Sequence, residues 1–165
     1  MGKLRILFVV VAVVGLIGCD HATKSVAAGR LSARGPIVLV RDVLELRYAE
    51  NRETAFSLTR GLDLPHKTRV LGLFALLGCA VAAGVAWRRR GVASRLELGG
   101  YALVVAGGLG NAIDRLASGY VVDFIHLRHW PVFNVADILV VLGAVALVLG
   151  MRDSPRRPSL RAGPS

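Results

Sequence analysis

Cysteine is scarce in this chain, and its setting excludes whole classes of protein. Cys19 and Cys79 are the two cysteines among 165 residues, and both have apolar neighbours. Two such residues provide neither a disulfide framework nor a cysteine-rich metal cluster. We therefore expect two free, buried thiols, because a free cysteine behaves as a small apolar residue.

Acidic residues are also few, with 11 Asp and Glu against 21 Lys and Arg and a net charge of +10. A charge of this size would suit a nucleic-acid-binding protein if the basic residues formed one surface. Here they lie between and beside apolar runs. The pattern argues against nucleic acid as a partner and favours anionic lipid headgroups.

Hydrophobic residues, in contrast, make up 54% of the chain, and the mean hydropathy of +0.56 is high for a soluble domain. Uncharged runs cover residues 6–19, 70–87 and 98–113, and residues 130–151 contain only one charge, Asp137. A membrane-spanning helix needs roughly 20 residues, and flanking polar residues can lengthen a short run. We predict an α-helical integral membrane protein with transmembrane helices at about 4–20, 68–87, 97–114 and 132–151.

The basic residues predict the orientation of these helices. They cluster before the first helix, between the second and third, and after the fourth. With four spans, all three clusters lie on one side, which the positive-inside rule makes cytoplasmic. Both termini are then expected inside the cell, and the loop of residues 20–69 outside it.

This outer loop contains a strand pattern. In residues 43–48, one side of the predicted strand has Leu44, Leu46 and Tyr48, and the other has Val43, Glu45 and Arg47. Residues 37–40 could form the partner strand. We predict a small extracytoplasmic sheet within about residues 36–60, between the first and second helices. The basic, proline-containing tail of residues 153–165 is expected to be disordered.

Polar residues that suggest chemistry concentrate between residues 107 and 137. Gly107 and Gly110 allow a neighbouring helix or substrate to approach closely. Asn111 and Asp114 are three residues apart and share a helical face, with Arg115 beside them. Asn134 and Asp137 share a face in the same way.

An aspartate within a membrane helix is costly, so Asp137 is a functional candidate by default. It could instead pair with Arg115 or Arg128 to hold helices together. Asp123 is a second acid among apolar residues. Two carboxylates close in space tend to share one proton, and such a pair can act as general base and general acid.

Other chemistries have weaker support. His126 and His129 could share a helical face near Asp123, but no H-E-x-x-H metal motif is present. Ser57 and Ser118 lack a nucleophile elbow. Asp20 and Lys24 are four apart, which by itself predicts an ordinary helical ion pair worth roughly a few tenths of a kcal/mol.

Two further hypotheses remain open from the residues alone. The basic start, the apolar run and Leu16 to Cys19 are typical of a lipoprotein signal peptide that is cut before Cys19. In that case the protein would be a substrate rather than an enzyme. Acids within helices also serve proton-coupled transporters.

Five motifs in order resemble those of the lipoprotein signal peptidases, also called type II signal peptidases. They are DHATK at 20–24, NRETAFS at 51–57, GGLGNAIDR at 107–115, VVDF at 121–124 and FNVAD at 133–137. The resemblance covers nearly all of the chain except its tail. Glu53 and Thr54 depart from the small residues usual at these positions of the second motif, and loss of a glycine there restricts the backbone.

The resemblance implies an inner-membrane aspartyl protease, with residues 1–152 as one membrane-embedded peptidase domain. It makes Asp123 and Asp137 the catalytic pair and implies hydrolysis just before the diacylglyceryl-modified cysteine of a prolipoprotein. No metal or organic cofactor is implied, and a single copy is expected to suffice. Further residues at motif positions are expected to shape the active site or bind substrate: Asp20, Lys24, Asn51, Gly107, Gly110, Asn111, Asp114, Arg115, Asn134 and Ala136.

Overall fold

The structure is a computed structural model that describes residues 2–52 and 66–152. Its elements, in chain order, are α1 (Lys3–Arg34), β1 (Ile37–Val40), β2 (Leu44–Asn51), α2 (Lys67–Arg89), α3 (Arg95–Ala117), β3 (Val121–Leu127) and α4 (Val135–Arg152). The predicted segments beyond these ranges, including Glu53, Thr54, Ser57 and the tail of residues 153–165, lie outside the described residues.

The described residues contain four helices that are long and apolar enough to cross a membrane. The predicted architecture of four transmembrane helices and a small sheet is therefore confirmed. The fourth helix begins at Val135, slightly later than predicted, because Phe133 first pairs with Ile125 of β3 in an isolated bridge.

Helix α1 is much longer than its predicted span and continues to Arg34. Its second half has a buried stripe of Asp20, Lys24, Ala27 and Leu31 at helical spacing. The helix ends at Gly35, whose φ of +78° lies in the left-handed region that glycine adopts without strain. The second half of α1 thus packs against protein rather than ending as a membrane span near residue 20.

The sheet is antiparallel and three-stranded, in the order β1-β2-β3. The predicted strand pair is confirmed, with Ile37 opposite Leu46 and Val40 opposite Leu44. The third strand comes from the connection between α3 and α4, which the sequence did not predict as a strand. It places Asp123 opposite Ala49.

Helix α3 is the centre of the bundle and packs against α1, α2 and α4. Its glycines let α4 approach closely: a Cβ on Gly100 would lie 2.8 Å from the Leu147 backbone nitrogen and 2.9 Å from the Gly143 carbonyl oxygen. Such contact between small residues is a usual means of helix association in membranes. The result is a closely packed α3–α4 pair that carries polar residues at one end.

The two cysteines differ in their surroundings. Cys79 is buried, as predicted, with its sulfur against Gly108 of α3. Cys19 is exposed, so the prediction that it is buried was wrong. It precedes the buried Asp20, and a step of one residue along a helix turns its side chain toward a different face.

Candidate active site

The candidate carboxylates lie near one end of the helices, where the sheet meets α1, α3 and α4. Asp123 is on β3 and only 2% exposed, whereas Asp137 is in the first turn of α4. Both line a cavity of about 860 Å³. The fold thus brings together two acids that the sequence predicted to act as a pair.

Asp123 is held by two asparagine amides. Its Oδ1 accepts a hydrogen bond from Asn134 Nδ2 at 2.6 Å, and its Oδ2 accepts one from Asn51 Nδ2 at 2.8 Å. The pKa of Asp123 is raised to about 6, mainly by burial and also by the charge of Asp137, and the opposing effects of the Asn51 and Asn134 amides and of the Lys24 charge are smaller. A carboxyl with such a pKa can exchange a proton near neutral pH.

Asp137 is fixed by the way α4 begins. Its backbone N–H donates to Asn134 Oδ1 at 3.1 Å, and its Oδ2 accepts from the Asn134 backbone N–H at 3.2 Å. These reciprocal bonds form a capping box, with aspartate in the place where glutamate is more common. The motif FNVAD therefore orients one of the carboxylates as it starts the helix.

Asn111 connects Asp137 to a buried cation. Its Nδ2 donates to Asp137 Oδ1 at 2.8 Å, while its Oδ1 accepts from Lys24 Nζ at 3.0 Å and from Asn134 Nδ2 at 3.2 Å. An ammonium group can only donate hydrogen bonds. Lys24 therefore keeps the amide oxygen on its own side and leaves the NH₂ group to face Asp137.

Lys24 is 3% exposed and is surrounded by acceptors. Its Nζ lies 2.6 Å from Asp20 Oδ2 and 2.7 Å from Asp114 Oδ2. The predicted i to i+4 ion pair is therefore present, but the expected contribution of a few tenths of a kcal/mol was wrong, because the pair is buried. Removal of one partner from a buried pair typically costs about 3–5 kcal/mol.

Asp20 also reaches the start of α4. It is fully buried, and its Oδ1 accepts a hydrogen bond from the Ala136 backbone N–H at 2.9 Å. A carboxylate at a helix N-terminus satisfies an otherwise unpaired N–H and interacts favourably with the helix dipole. Asp20 and Lys24 thus position α4 and Asn111, and through them Asp137.

Two glycines of α3 make room for these contacts. A Cβ on Gly110 would lie 2.7 Å from Asp20 Oδ2, and one on Gly107 would overlap the Ala136 carbonyl oxygen. Ala136 itself is fully buried. The small residues of the two motifs therefore lie where the polar network meets the α3–α4 contact.

Arg115 is at the edge of the cavity, and its Nη1 donates to the Asn111 carbonyl oxygen at 3.4 Å. Arg128, the other cation considered for Asp137, instead lies 3.8 Å from Asp42 Oδ1 on the surface of the sheet. The Arg128 alternative for Asp137 was therefore wrong.

The histidines divide between two places. His126 Nδ1 lies 2.9 Å from Glu45 Oε1 across the β2–β3 pair, and His129 follows the end of β3. Within residues 2–52 and 66–152, no group of three or more His, Cys, Asp or Glu has the arrangement of a metal site. His21 is closer to the network, with Nε2 3.3 Å from Asp114 Oδ1, a contact that the sequence did not predict.

The cavity has apolar walls that the sequence did not assign to a site. Leu71, Phe74 and Ala75 of α2 form one side, and Val141 and Leu142 of α4 form another. In a sequence these positions cannot be distinguished from residues that face lipid. The cavity therefore has a polar end with the carboxylates and an apolar flank between two membrane helices.

Comparison with known proteins identifies the family. The family described as signal peptidase (SPase) II matches residues 11–152. A lipoprotein signal peptidase of Chlorobaculum tepidum is 38% identical over 158 residues, covering 87% of this chain and 92% of that protein. One from Pelotomaculum thermopropionicum is 37% identical over 155 residues, covering 93% and 95%.

Solved structures agree on the fold. One, titled as a bacterial membrane enzyme, superposes with a TM-score of 0.72 at 20% identity and covers 97% of this chain and 94% of its own. A second, with a similar title, gives 0.70 at 20% identity and covers 88% and 93%. From the family match and these sequence identities, the chain belongs to the signal peptidase II family.

Proposed function

We propose that this protein removes the signal peptide of bacterial prolipoproteins by hydrolysing the bond just before the diacylglyceryl-modified cysteine, with Asp123 and Asp137 as catalytic residues. Family membership makes it a membrane protease of prolipoprotein processing. The observation that carries the catalytic assignment is that both carboxylates line one cavity and share Asn134 as a hydrogen-bond partner.

The proposed reaction uses the pair as base and acid. The Asp137 carboxylate takes a proton from a water molecule as its oxygen attacks the scissile carbonyl carbon. Protonated Asp123 donates a hydrogen bond to the carbonyl oxygen as negative charge develops there, and its proton then passes to the leaving amine of the modified cysteine. The raised pKa of Asp123 supports its role as the proton carrier. The steps involve only water and two carboxyls, so no cofactor is needed.

The remaining motif residues have positioning roles in this proposal. Asn51, Asn111 and Asn134 donate to the carboxylates and fix their orientation. Asn111 and the start of α4 are held in place by Asp20, Lys24 and Asp114. The space for these contacts between α1, α3 and α4 is provided by Gly107, Gly110 and Ala136. Arg115 lines the cavity, which supports a role in binding a carbonyl or carboxylate of the substrate.

The apolar flank of the cavity suits a substrate that arrives within the membrane. A diacylglyceryl group and the apolar core of a signal peptide both stay in apolar surroundings, away from water, when they lie between α2 and α4. The polar end of the cavity then receives the peptide bond. This division supports a lipid-modified substrate rather than a soluble peptide.

The proposed orientation has both termini in the cytoplasm and the carboxylates near the outer face of the bacterial inner membrane. Basic residues flank the helix ends that lie away from Asp123, as the positive-inside rule requires of the cytoplasmic side. They are Lys3, Arg5, Arg88, Arg95 and Arg152. One copy of the chain supplies every group of the proposed mechanism, so we expect a functional monomer. A role in nucleic-acid binding is not part of this proposal.

The proposed function is tested by measuring the masses of the cleavage products. The purified protein in detergent is incubated with a prolipoprotein carrying the diacylglyceryl group, and with the same prolipoprotein lacking it. We expect a new N-terminus at the modified cysteine and much slower cleavage of the unmodified form. Asp137→Asn protein, prepared in parallel, is the blank for host peptidases. Cleavage elsewhere, or equal cleavage of both substrates, would refute the proposed specificity.

A further inference from the structure

A second cavity of about 350 Å³ lies at the opposite end of the helices from the carboxylates. One wall is the face of α1 from Ile6 to Val14, the other is Ala83 and Ala86 of α2, and Ala102 of α3 lies between them. The first half of α1 has little protein around it, since none of residues 3–19 is buried. This cavity, the α1–α2 groove, is therefore an apolar opening toward lipid.

The rim of the α1–α2 groove carries positive charge. Arg90 lines it, and its guanidinium lies 3.9 Å from the ring centroid of Trp87 and donates to the Trp87 carbonyl oxygen at 2.6 Å. The neighbouring Arg89 is neutralised by the buried Glu97. Within the described ranges, no carboxylate lies within ion-pair distance of Arg90. Its charge is thus held at the rim and is available to an anion.

Further cations surround this end of the groove. Lys3 and Arg5 come directly before Ile6 on α1, and Arg95 begins α3. Among the described residues, the acid near this end is Glu97, and it already forms an ion pair with Arg89. An apolar groove with an excess of positive charge at one end is complementary to an anionic amphiphile.

The dimensions favour a hydrocarbon chain over a helix. The lining from Ile6 to Val14 extends about 12 Å along α1, parallel to the helix axis. A helix with its side chains is about 10 Å in diameter, so it needs a much wider opening than an acyl chain does. A single acyl chain is narrower and runs in the same direction as the membrane helices.

We propose that the α1–α2 groove binds an anionic phospholipid, with one acyl chain between α1 and α2 and the phosphate at Arg90. The chain would cover the exposed side chains of Val10 and Val14. A ligand that binds only the folded state stabilises it, so this lipid would hold the first half of α1 against α3. The site is separate from the carboxylates and does not depend on the proposed reaction.

The first experiment measures lipid binding to the full chain. Native mass spectrometry of the protein in detergent is done with phosphatidylglycerol and with phosphatidylcholine of identical acyl chains. We expect the Kd for phosphatidylglycerol to be at least fivefold lower. Arg90→Gln should remove that difference, whereas Arg88→Gln, which changes an arginine beside the groove that does not line it, should retain it.

A second variant tests the place of the acyl chain. Ala83 is exposed, so Ala83→Phe should fold, and its ring should fill part of the groove. We expect weaker binding of both lipids and a smaller rise in Tm on adding phosphatidylglycerol. Equal affinity of the wild type for the two lipids, a preference that survives Arg90→Gln, or binding unchanged by Ala83→Phe would overturn the proposal.

Discussion

At the residue scale, the side chains next to Asp123 and Asp137 fix the orientation of the two carboxylates. Asn111 has an amide whose two ends face a cation and an anion, Lys24 and Asp137. Asn134 bonds to both aspartates. An amide in such a network cannot be reversed without placing a donor against a donor, so the orientation of each carboxylate is fixed before substrate binds.

The adjacent Cys19 and Asp20 provide a sharp contrast. Cys19 is exposed, whereas Asp20 is fully buried and bonds to both Lys24 and Ala136. We expect Cys19→Ala to keep near wild-type cleavage. Asp20→Ala should leave the buried Lys24 without one of its anions and lower stability by about 3–5 kcal/mol, with loss of cleavage.

Cleavage of the diacylated prolipoprotein and thermal unfolding in detergent measure both effects. Intact mass of the purified chain adds an independent check on residues 1–19. A mature protein that begins at a lipidated Cys19 would establish that the chain is itself a lipoprotein. Loss of activity in Cys19→Ala would contradict the expectation that this exposed thiol is dispensable.

The raised pKa of Asp123 predicts a pH dependence of stability. The pKa is about 6 in the folded protein against an ordinary value of 3.8, so the folded state binds the proton more tightly. The stabilisation from this carboxyl is then complete below about pH 4 and is lost as pH rises through about 6. The Tm of the wild type should fall relative to that of Asp123→Asn over this interval.

This comparison removes the contribution of other titrating groups, which both proteins share. Any constant cost of placing an amide beside Asn51 and Asn134 leaves the slope unchanged. A Tm difference that is independent of pH between about 4 and 7 would mean that Asp123 ionises in the folded protein at its ordinary pKa.

At the element scale, the α3–α4 contact depends on residues with no side chain. A Cβ on Gly107 would overlap the Ala136 carbonyl oxygen and lie 2.9 Å from Val140 Cγ2. Gly107→Ala should therefore displace the first turns of α4, lower stability by about 1–3 kcal/mol and reduce cleavage through Asp137. Gly99→Ala is the matched control, because nothing lies within 4 Å of its added Cβ.

Unfolding in detergent and the cleavage rate, measured on both variants, test this prediction. Gly99→Ala should be neutral or slightly stabilising, since alanine is the better helix former. Equal behaviour of the two variants would show that close contact at Gly107 is unimportant.

The sequence predicted helices α2 and α3 and the first two strands well, because hydrophobic runs and alternation are local patterns. It missed the length of α1, since Asp20 and Lys24 read as polar residues that end a membrane span. It also missed β3, whose partner β2 is far away in the chain. In both cases a tertiary contact decides the structure: the buried network for α1 and strand pairing for β3.

At the scale of the whole molecule, the two ends of the bundle have different characters. One end joins carboxylates, amides and a sheet, whereas the other carries arginines and an apolar groove. The motifs in the sequence predicted that residues from α1, β2, α3, β3 and α4 act together. They did not predict which atoms bond, because the Asn111 and Asn134 bridges arise only when all five elements pack.

The central claim, catalysis by Asp123 and Asp137, is tested most directly by the rate of prolipoprotein cleavage in two Asp→Asn variants. Each should retain the fold and substrate binding but cleave about 10²–10⁴-fold more slowly, because a carboxamide acts as neither a base nor an acid near neutral pH. Asp42→Asn is the control, since Asp42 is exposed and has a φ of +59°, which asparagine also tolerates. Near wild-type turnover by either Asp123→Asn or Asp137→Asn would contradict the account.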